Sequence, residues 1–466
     1  MNNKNEKLEE FEKYIKGKKI AIIGIGVSNI PLLDYLQNKS CFVTVFDKRD
    51  VTNIDKNVLN KIIDYNMEMS LGEDYLSKLN GFDVIFRSPS CRPDTKELQE
   101  ESKRGALITS EIEMLMKLTP ATVIGVTGSD GKTTTTSLIY EITKEKGYRC
   151  FLGGNIGIPL FTKLSEMTKD DIVILELSSF QLMDMDISPK ISVITNVTPN
   201  HLDIHKSYNE YIESKANIFK HQSEDGILVL NYDNDITRNF ANRAEGRVVF
   251  FSSKEKLENG IIYDDGLIKS CEDGVRRHII NSKNVHLRGI HNQENICAAI
   301  AATSGLVDVD TQVRAISKFT GVEHRLEFIR EINGVKWYND SIASSPTRTI
   351  AGLNSFDEKI VLIAGGYDKH LDYTPIGKPI VDHVSTLILV GATSKKIYSA
   401  VKEELKAENK MLEIYQCTTL EQTVEMAYKT ARKGEIVLFS PASASFDMFK
   451  NFAERGEKFK EIVNKL

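Results

Sequence analysis

The sequence predicts an α/β chain of three domains, each built on a mainly parallel sheet. Short apolar runs that end at glycine or a polar residue recur along it, each followed by a segment of helical period, which is the pattern of strand-loop-helix units. The chain has 466 residues, and at roughly 150 residues per domain that length suggests about three domains. A strand also runs into a glycine-rich turn and then a helix between Val123 and Tyr140.

The first block, residues 1–110, holds "KKIAIIGIGVSNIPLLDYL", "FVTVFDKRD" and "FDVIFRSPS". The second, 111–321, opens near the helical "SEIEMLMKLTP" and continues through "VIGVTGSDGKTTTTSLIY", "DIVILELSSF", "ISVITNVTPN" and "GILVLNYDN". The third, 322–466, begins near "SKFTGVEHRLE" and holds "VKWYNDS", "KIVLIAGGYDK", "TLILVGATSKK" and "EIVLFSPASAS". Ligands of open parallel sheets bind beyond the carboxyl ends of the strands, so the residues just after each apolar run are the candidates for chemistry.

Composition narrows the classes. Apolar residues make up 41% and charged residues 27%, as in an ordinary globular protein. Net charge is −5, and the 60 basic residues are scattered among 65 acidic ones, so nothing in the chain forms a basic stripe for nucleic acid. The six cysteines are far apart and make no C-x-x-C pair, which reads as free thiols in a reducing compartment. With no export signal and no apolar run near the ~20 residues that span a bilayer, the expected location is the cytoplasm.

Residues 123–140 resemble a phosphate loop with unusual spacing. The common pattern wants glycine five positions before the glycine of GK[ST]; here that position is Val126, with Gly125 and Gly128 on either side. Backbone N–H groups of Gly128, Ser129, Asp130 and Gly131, together with a helix N-terminus, offer donors to phosphate oxygens. Lys132 adds a full charge, Thr133 a hydroxyl suited to Mg²⁺, and Thr134 continues the helix start. Glu176 ends a buried-type strand, where a carboxylate can hold a hard cation through oxygen or merely cap a helix. The loop "NVTPNHLDIH" offers His201, Asp203 and His205, although a lone loop histidine is more often solvated than catalytic. Near the start, "GIGVSN" with Asp47 about twenty residues on imitates the dinucleotide fingerprint, but Asn29 stands where the third glycine belongs. That stretch is open to NAD, to another nucleotide or diphosphate, or to a packing turn.

Nine stretches, "TGSDGKTTTT", "GGNIG", "ELSSFQL", "NVTPNHLDIH", "ESKANIF", "GIHNQENICAAIAA", "EHRLE", "YNDSIAS" and "SPASASFDMFKNFAERG", occur in the order seen in the Mur ligases, and the chain resembles that family across all three blocks. The resemblance implies an N-terminal Rossmann-like UDP-binding domain, a central P-loop ATPase-like domain and a C-terminal Rossmann-like domain. Within the family the pattern is similar to that of the branch adding D-glutamate to UDP-N-acetylmuramoyl-L-alanine. It implies that ATP phosphorylates the L-alanyl carboxylate and that the D-glutamate amine attacks the acyl phosphate.

It further implies roles for residues. Lys132, Glu176, His201 and Lys215 are the catalytic set. Thr133, Glu176, His201 and Lys215 are the ligands of two Mg²⁺ sites, with Lys215 carried as a carbamate. Asn292, Arg325 and Asp340 join Gly128–Thr134 in binding ATP. Ser28, Asn29, Asp47, Arg49 and Asn155 face the UDP substrate, and Ser344, Lys369, Ser445 and Phe452 surround the D-glutamate. Two departures stand out: Ile342 and Ser344 occupy positions where the family often has lysine and threonine, leaving Lys369, Arg348 or Ser445 to hold the glutamate side chain. Position 48 is Lys48 where threonine is common. A monomer is expected, with no nucleic-acid or membrane partner. The rivals are another ligase of the family, including folylpolyglutamate synthetase, an NAD-binding oxidoreductase or redox-sensing module, and a non-catalytic nucleotide-binding regulator.

Overall fold

A computed structural model describes residues 5–466 apart from 27, 201–203 and 370. The chain forms two compact units, Met1–Ser282 with Glu294–Ile316, and Lys283–Gln293 with Ser317–Leu466.

The first unit contains two sheets. The first sheet has five strands, β1 (Lys19–Ile23), β2 (Phe42–Asp47), β3 (Glu68–Leu71), β4 (Val84–Arg87) and β5 (Leu107–Thr109), all parallel in the order β3-β2-β1-β4-β5. The second has nine strands: β6 (Thr122–Thr127), β7 (Cys150–Gly154), β8 (Ile172–Glu176), β9 (Ile191–Ile194), β10 (Ile227–Asn231), β11 (Arg247–Ser252), β12 (Gly260–Asp264), β13 (Leu267–Glu272) and β14 (Val275–Asn281). Its order is β14-β13-β12-β11-β10-β9-β6-β8-β7. The strands β8, β9 and β10 read as continuous Val/Ile/Leu runs because both of their faces are covered, and their residues are almost all buried. A parallel sheet is what the apolar runs predict, and it holds as far as β12. From there β12, β13 and β14 form an antiparallel meander. Its turns carry the reason in plain view: Asp265 and Gly266, then Asp273 and Gly274, all have positive φ, the geometry that lets Asp-Gly close a hairpin.

The second unit carries the third sheet: β15 (Glu327–Ile332), β16 (Val335–Asn339), β17 (Ile360–Ala364), β18 (Val384–Leu389), β19 (Glu413–Gln416) and β20 (Ile436–Phe439). The order is β15-β16-β20-β17-β18-β19, parallel except for the β15–β16 hairpin, which turns at Asn333-Gly334. Every residue of β17 and β20 is buried. Trp337, on β16, is 1% exposed and packs with Phe459, ring centroids 6.4 Å apart.

The two sheets of the first unit meet around polar side chains as well as apolar ones. Arg87, at the end of β4, is buried and donates to Asp184, beyond the second sheet's β8. The helix Glu111–Leu118 connects the sheets, and Ser110 caps it by accepting the Glu113 N–H. Glu111, in its first turn, is buried, and its carboxylate accepts the Phe161 N–H at 3.1 Å. Burial pushes the Glu111 carboxyl up to about 7 from its ordinary 4.5. The folded state holds that proton to about pH 7 while the unfolded chain releases it near 4.5, so stability is lost as the pH rises through that window. Glu111→Gln removes the loss. Relative to the parent, the variant gains about 2–3 kcal/mol between pH 5 and pH 8 in urea unfolding; parallel profiles would rule out the buried proton.

Candidate active site

The second sheet brings its key residues to one end by register. Val126 on β6 pairs with Glu176 on β8, and Glu176 pairs in turn with Gly154 on β7. Beyond β6 the chain turns through Gly128 and Gly131 into the helix Lys132–Glu145. Both glycines are required. Gly128 has φ +149, and a Cβ there would lie 1.9 Å from the Thr195 hydroxyl; Gly131 has φ +79, and a Cβ would lie 2.2 Å from Asn295 Oδ1. Gly131 is the N-cap of the helix and brings no side chain of its own to cap the first turn, whose N–H groups are suited to an anion.

The loop is stapled in place. Ser129 donates its N–H to the Asn196 carbonyl at 2.9 Å, and its hydroxyl lies 2.8 Å from the Tyr211 hydroxyl. The Asp130 N–H donates to Asn196 Oδ1 at 2.9 Å. Lys132 folds over the loop, its ammonium donating to the Gly128 and Ser129 carbonyls, both at 2.9 Å. Thr133 is half-buried and Thr134 buried in the same first turn.

Three charged groups meet here. Lys215, on the helix Tyr208–Lys220, is 2% exposed and donates to the same Gly128 carbonyl at 2.7 Å. Its ammonium also lies 4.7 Å from the centre of the Tyr211 ring. Burial first, and then the neighbouring Lys132 charge, push the Lys215 amine well below its ordinary value. Glu176 is 1% exposed. One carboxylate oxygen, Oε1, accepts from the Asn155 amide at 2.9 Å, and the other, Oε2, has no partner among the described residues.

His201 and Asp203 lie outside the described residues. His205, the third polar group of that loop, is buried, its Nε2 3.0 Å from the Ser179 hydroxyl and its ring stacked on Phe180. It is a packed histidine.

In the first sheet, Asp47 ends β2 and its carboxylate accepts the Ile25 N–H at 2.7 Å and the Arg49 N–H and Nε at 2.9 and 2.8 Å. Arg49 also donates to the Ile25 carbonyl at 2.7 Å. The acid that a dinucleotide's ribose would need is therefore engaged in holding its own loop, which weighs against NAD. Asn29 is buried, donating to the Ile23 and Gly24 carbonyls at 3.1 and 3.0 Å, and Ser28 sits half-buried beside it.

In the second unit Asp340, Lys369 and Ser445 lie in the segments that follow the carboxyl ends of β16, β17 and β20. Asp340 follows β16; burial pushes its carboxyl up to about 7, while Ser440 donates to it at 2.7 Å and the Leu326 N–H at 3.2 Å. Arg325 lies close enough to oppose that rise through its charge. Asn292 is buried and donates to the Arg288 carbonyl at 2.6 Å. Lys369 stands 5.6 Å from the Phe446 ring centre, Ser445 is buried, Ser344 is half-buried, and Phe452 opens the helix Phe452–Val463. Arg348 reaches the Ile342 carbonyl at 3.4 Å.

Several residues that hold these sites escaped the sequence reading. Arg455 is buried and ties the loops together, donating to the Ser341 hydroxyl and carbonyl and to the Ala444 carbonyl at 3.0, 2.8 and 2.9 Å. Tyr211, Thr195, Asn196 and Asn295 support the phosphate loop. Thr195, Asn196, Asn295 and Arg455 lie within quoted stretches but were given no role there, and Tyr211 lies outside all of them. Elsewhere, Glu323, His324 and Glu457 approach one another closely enough to share a cation, but Lys460 already lies 2.7 and 2.8 Å from the two carboxylates.

Comparison with known proteins shows the family. Residues 18–110 match the Mur ligase MurD-like N-terminal domain, 126–303 the Mur ligase middle domain, and 324–443 the Mur ligase glutamate ligase domain. The chain belongs to the Mur ligase family. It is 51% identical to a UDP-N-acetylmuramoylalanine–D-glutamate ligase of Acetivibrio thermocellus over 464 residues, 99% of each chain. It is 49% identical to the protein of the same name from Ruminiclostridium cellulolyticum, covering 99% of this chain and 100% of that one. Among solved structures, its fold is similar to that of the UDP-N-acetylmuramate-alanine ligase of Thermotoga maritima, with a TM-score of 0.58, 17% identity and coverage of 96% and 99%. It is also similar to the MurF ligase of Thermotoga maritima, with a TM-score of 0.56, 18% identity and coverage of 97% of each chain.

The glycine geometry makes a direct prediction. Gly128→Ala, which drives a methyl group into Thr195, lowers ADP affinity at least tenfold in isothermal titration calorimetry; unchanged affinity would exclude this loop as the phosphate cradle.

Proposed function

We propose that this Mur ligase adds D-glutamate to UDP-N-acetylmuramoyl-L-alanine at the expense of ATP, in the synthesis of peptidoglycan precursors. The observation that carries the reading is the meeting of Lys132, Lys215 and the half-unpartnered Glu176 carboxylate at one phosphate-type loop. Full-length identity of about half to ligases with that named activity supports the substrates.

A carboxylate is a poor electrophile until phosphorylated, and phosphoryl transfer asks a protein chiefly for position and charge neutralisation. The loop N–H groups and the helix N-terminus hold the phosphates. Lys132, now on its own loop carbonyls, turns to the β- and γ-phosphates when they arrive. The D-glutamate amine then attacks the acyl phosphate, an amide bond forms and phosphate leaves. By resemblance, Asn292, Arg325 and Asp340 serve the nucleotide, Ser28, Asn29, Asp47, Arg49 and Asn155 the UDP substrate, and Ser344, Lys369, Ser445 and Phe452 the amino acid. Lys369, Arg348 or Ser445 stands in for the family's lysine at position 342. The domains on this reading are 1–110, 111–321 and 322–466.

The donor set suits Mg²⁺. A buried carboxylate oxygen without a partner is the kind of ligand a hard cation takes, and Thr133 adds a hydroxyl. Lys215 would join as a carbamate, with His201, making two sites. Carbamate formation consumes a neutral amine, and the depressed Lys215 meets that need. When bound, the cation neutralises phosphate charge. A cytoplasmic monomer is the expected state; among the described residues no helix is long and apolar enough to cross a membrane.

Phosphate release from ATP with UDP-N-acetylmuramoyl-L-alanine and each of several amino acids tests the reading. Turnover is expected with D-glutamate alone; equal rates with L-lysine or L-glutamate would overturn it. Lys132→Ala reduces turnover at least a hundredfold in the same assay, and near-parental rates would remove Lys132 from the chemistry.

A further inference from the structure

The loop after β7 contains a contact that its exposure does not lead one to expect. Asn155 is exposed, yet its side-chain amide donates inward to the almost wholly buried Glu176 carboxylate at 2.9 Å. Its backbone N–H also donates to the Glu176 carbonyl at 2.8 Å. Residue 155 thus grips residue 176 twice, once by backbone and once by side chain.

The local backbone is built for that grip. Gly154 has φ +92, and a Cβ there would lie 2.2 Å from the Glu176 carbonyl oxygen. Gly157 has φ +73, and a Cβ there would lie 2.5 Å from the Leu152 carbonyl oxygen, where the loop folds back on its own strand. Any side chain at either position would lift the loop off the end of β8 and carry the Asn155 amide out of reach.

A glutamate's terminal torsion is broad, so a buried carboxylate with no donor is free to turn its oxygens. A single charge-assisted hydrogen bond to Oε1 removes that freedom and leaves Oε2 as the open lone-pair donor. Groups that orient a metal ligand in this way change metal affinity typically 10–100-fold when removed.

We propose that Asn155 is a positioning residue for the cation site: its amide fixes the Glu176 carboxylate so that the remaining oxygen is presented to the divalent cation of the nucleotide. The inference rests on the nucleotide-cation reading above and deepens it. It is compatible with a contact from Asn155 to the UDP substrate, since the amide has a second N–H and a carbonyl oxygen.

The experiment measures Mn²⁺ affinity by the loss of the free-ion electron paramagnetic resonance signal, in the presence of a non-hydrolysable ATP analogue. Asn155→Leu keeps the branched four-atom side chain and deletes the donor. Mn²⁺ binding is expected to weaken at least tenfold in this variant, while binding of the analogue without metal stays within twofold of the parent. In a Glu176→Gln background the same substitution adds less than a twofold effect, because the group it orients is gone. Unchanged Mn²⁺ affinity in Asn155→Leu, or an equal loss in the Glu176→Gln background, overturns the proposal and leaves the nucleotide-cation reading standing. A parent protein that binds no Mn²⁺ with the analogue overturns both.

Discussion

Ionisable groups are expensive to take out of water, and this protein buries two of them, Glu176 and Lys215, beside the half-buried Lys132 at one strand end. Lys132, Lys215 and Glu176 would repel or strand one another in most buried settings. Here a single backbone carbonyl, that of Gly128, receives both lysines, and a single amide, that of Asn155, serves the carboxylate. The arrangement leaves an anionic oxygen unanswered and an amine pressed towards neutrality. Both are liabilities for folding alone and assets for a site that gathers phosphates and a cation.

The rest of the first unit serves that economy of partners. The missing side chains at Gly128, Gly131 and Gly154 leave room for the Thr195 hydroxyl, the Asn295 amide and the Glu176 backbone respectively, which is what lets the loop ends of β6, β7 and β8 be held so closely. Ser129, Asn196 and Tyr211 then remove the remaining freedom of the loop. In the second unit a different solution does the same work: one buried guanidinium, Arg455, spans the loops after β16 and β20.

How far the sequence spoke depends on what kind of signal each feature leaves. Parallel strands with covered faces leave long apolar runs, so the three sheets and the strand ends were legible. The β12–β14 meander was not, because its strands are half exposed and its only loud signal is the Asp-Gly pair at each turn. Lys132, Glu176 and Lys215 were named from the ordered motifs before any geometry, and the structure brings them together. Asp47 shows where spacing stops being informative. Its spacing from the glycines suggested a ribose ligand, but spacing does not say what else a carboxylate will accept, and Arg49 two residues later has it. Supporting residues such as Tyr211, Thr195 and Arg455 act through long-range contacts, which a linear reading has no means to weigh.

Trp337 offers a last consequence. It is the chain's sole indole, it lies sealed in the sheet of the second unit, and its Nε1 has no hydrogen-bond partner among the described residues. Excited near 295 nm, the molecule therefore has one lamp, and it shines from one unit only. A blue-shifted, poorly quenched emission would speak for the packing around β16, while whatever happens at the phosphate loop stays spectroscopically dark.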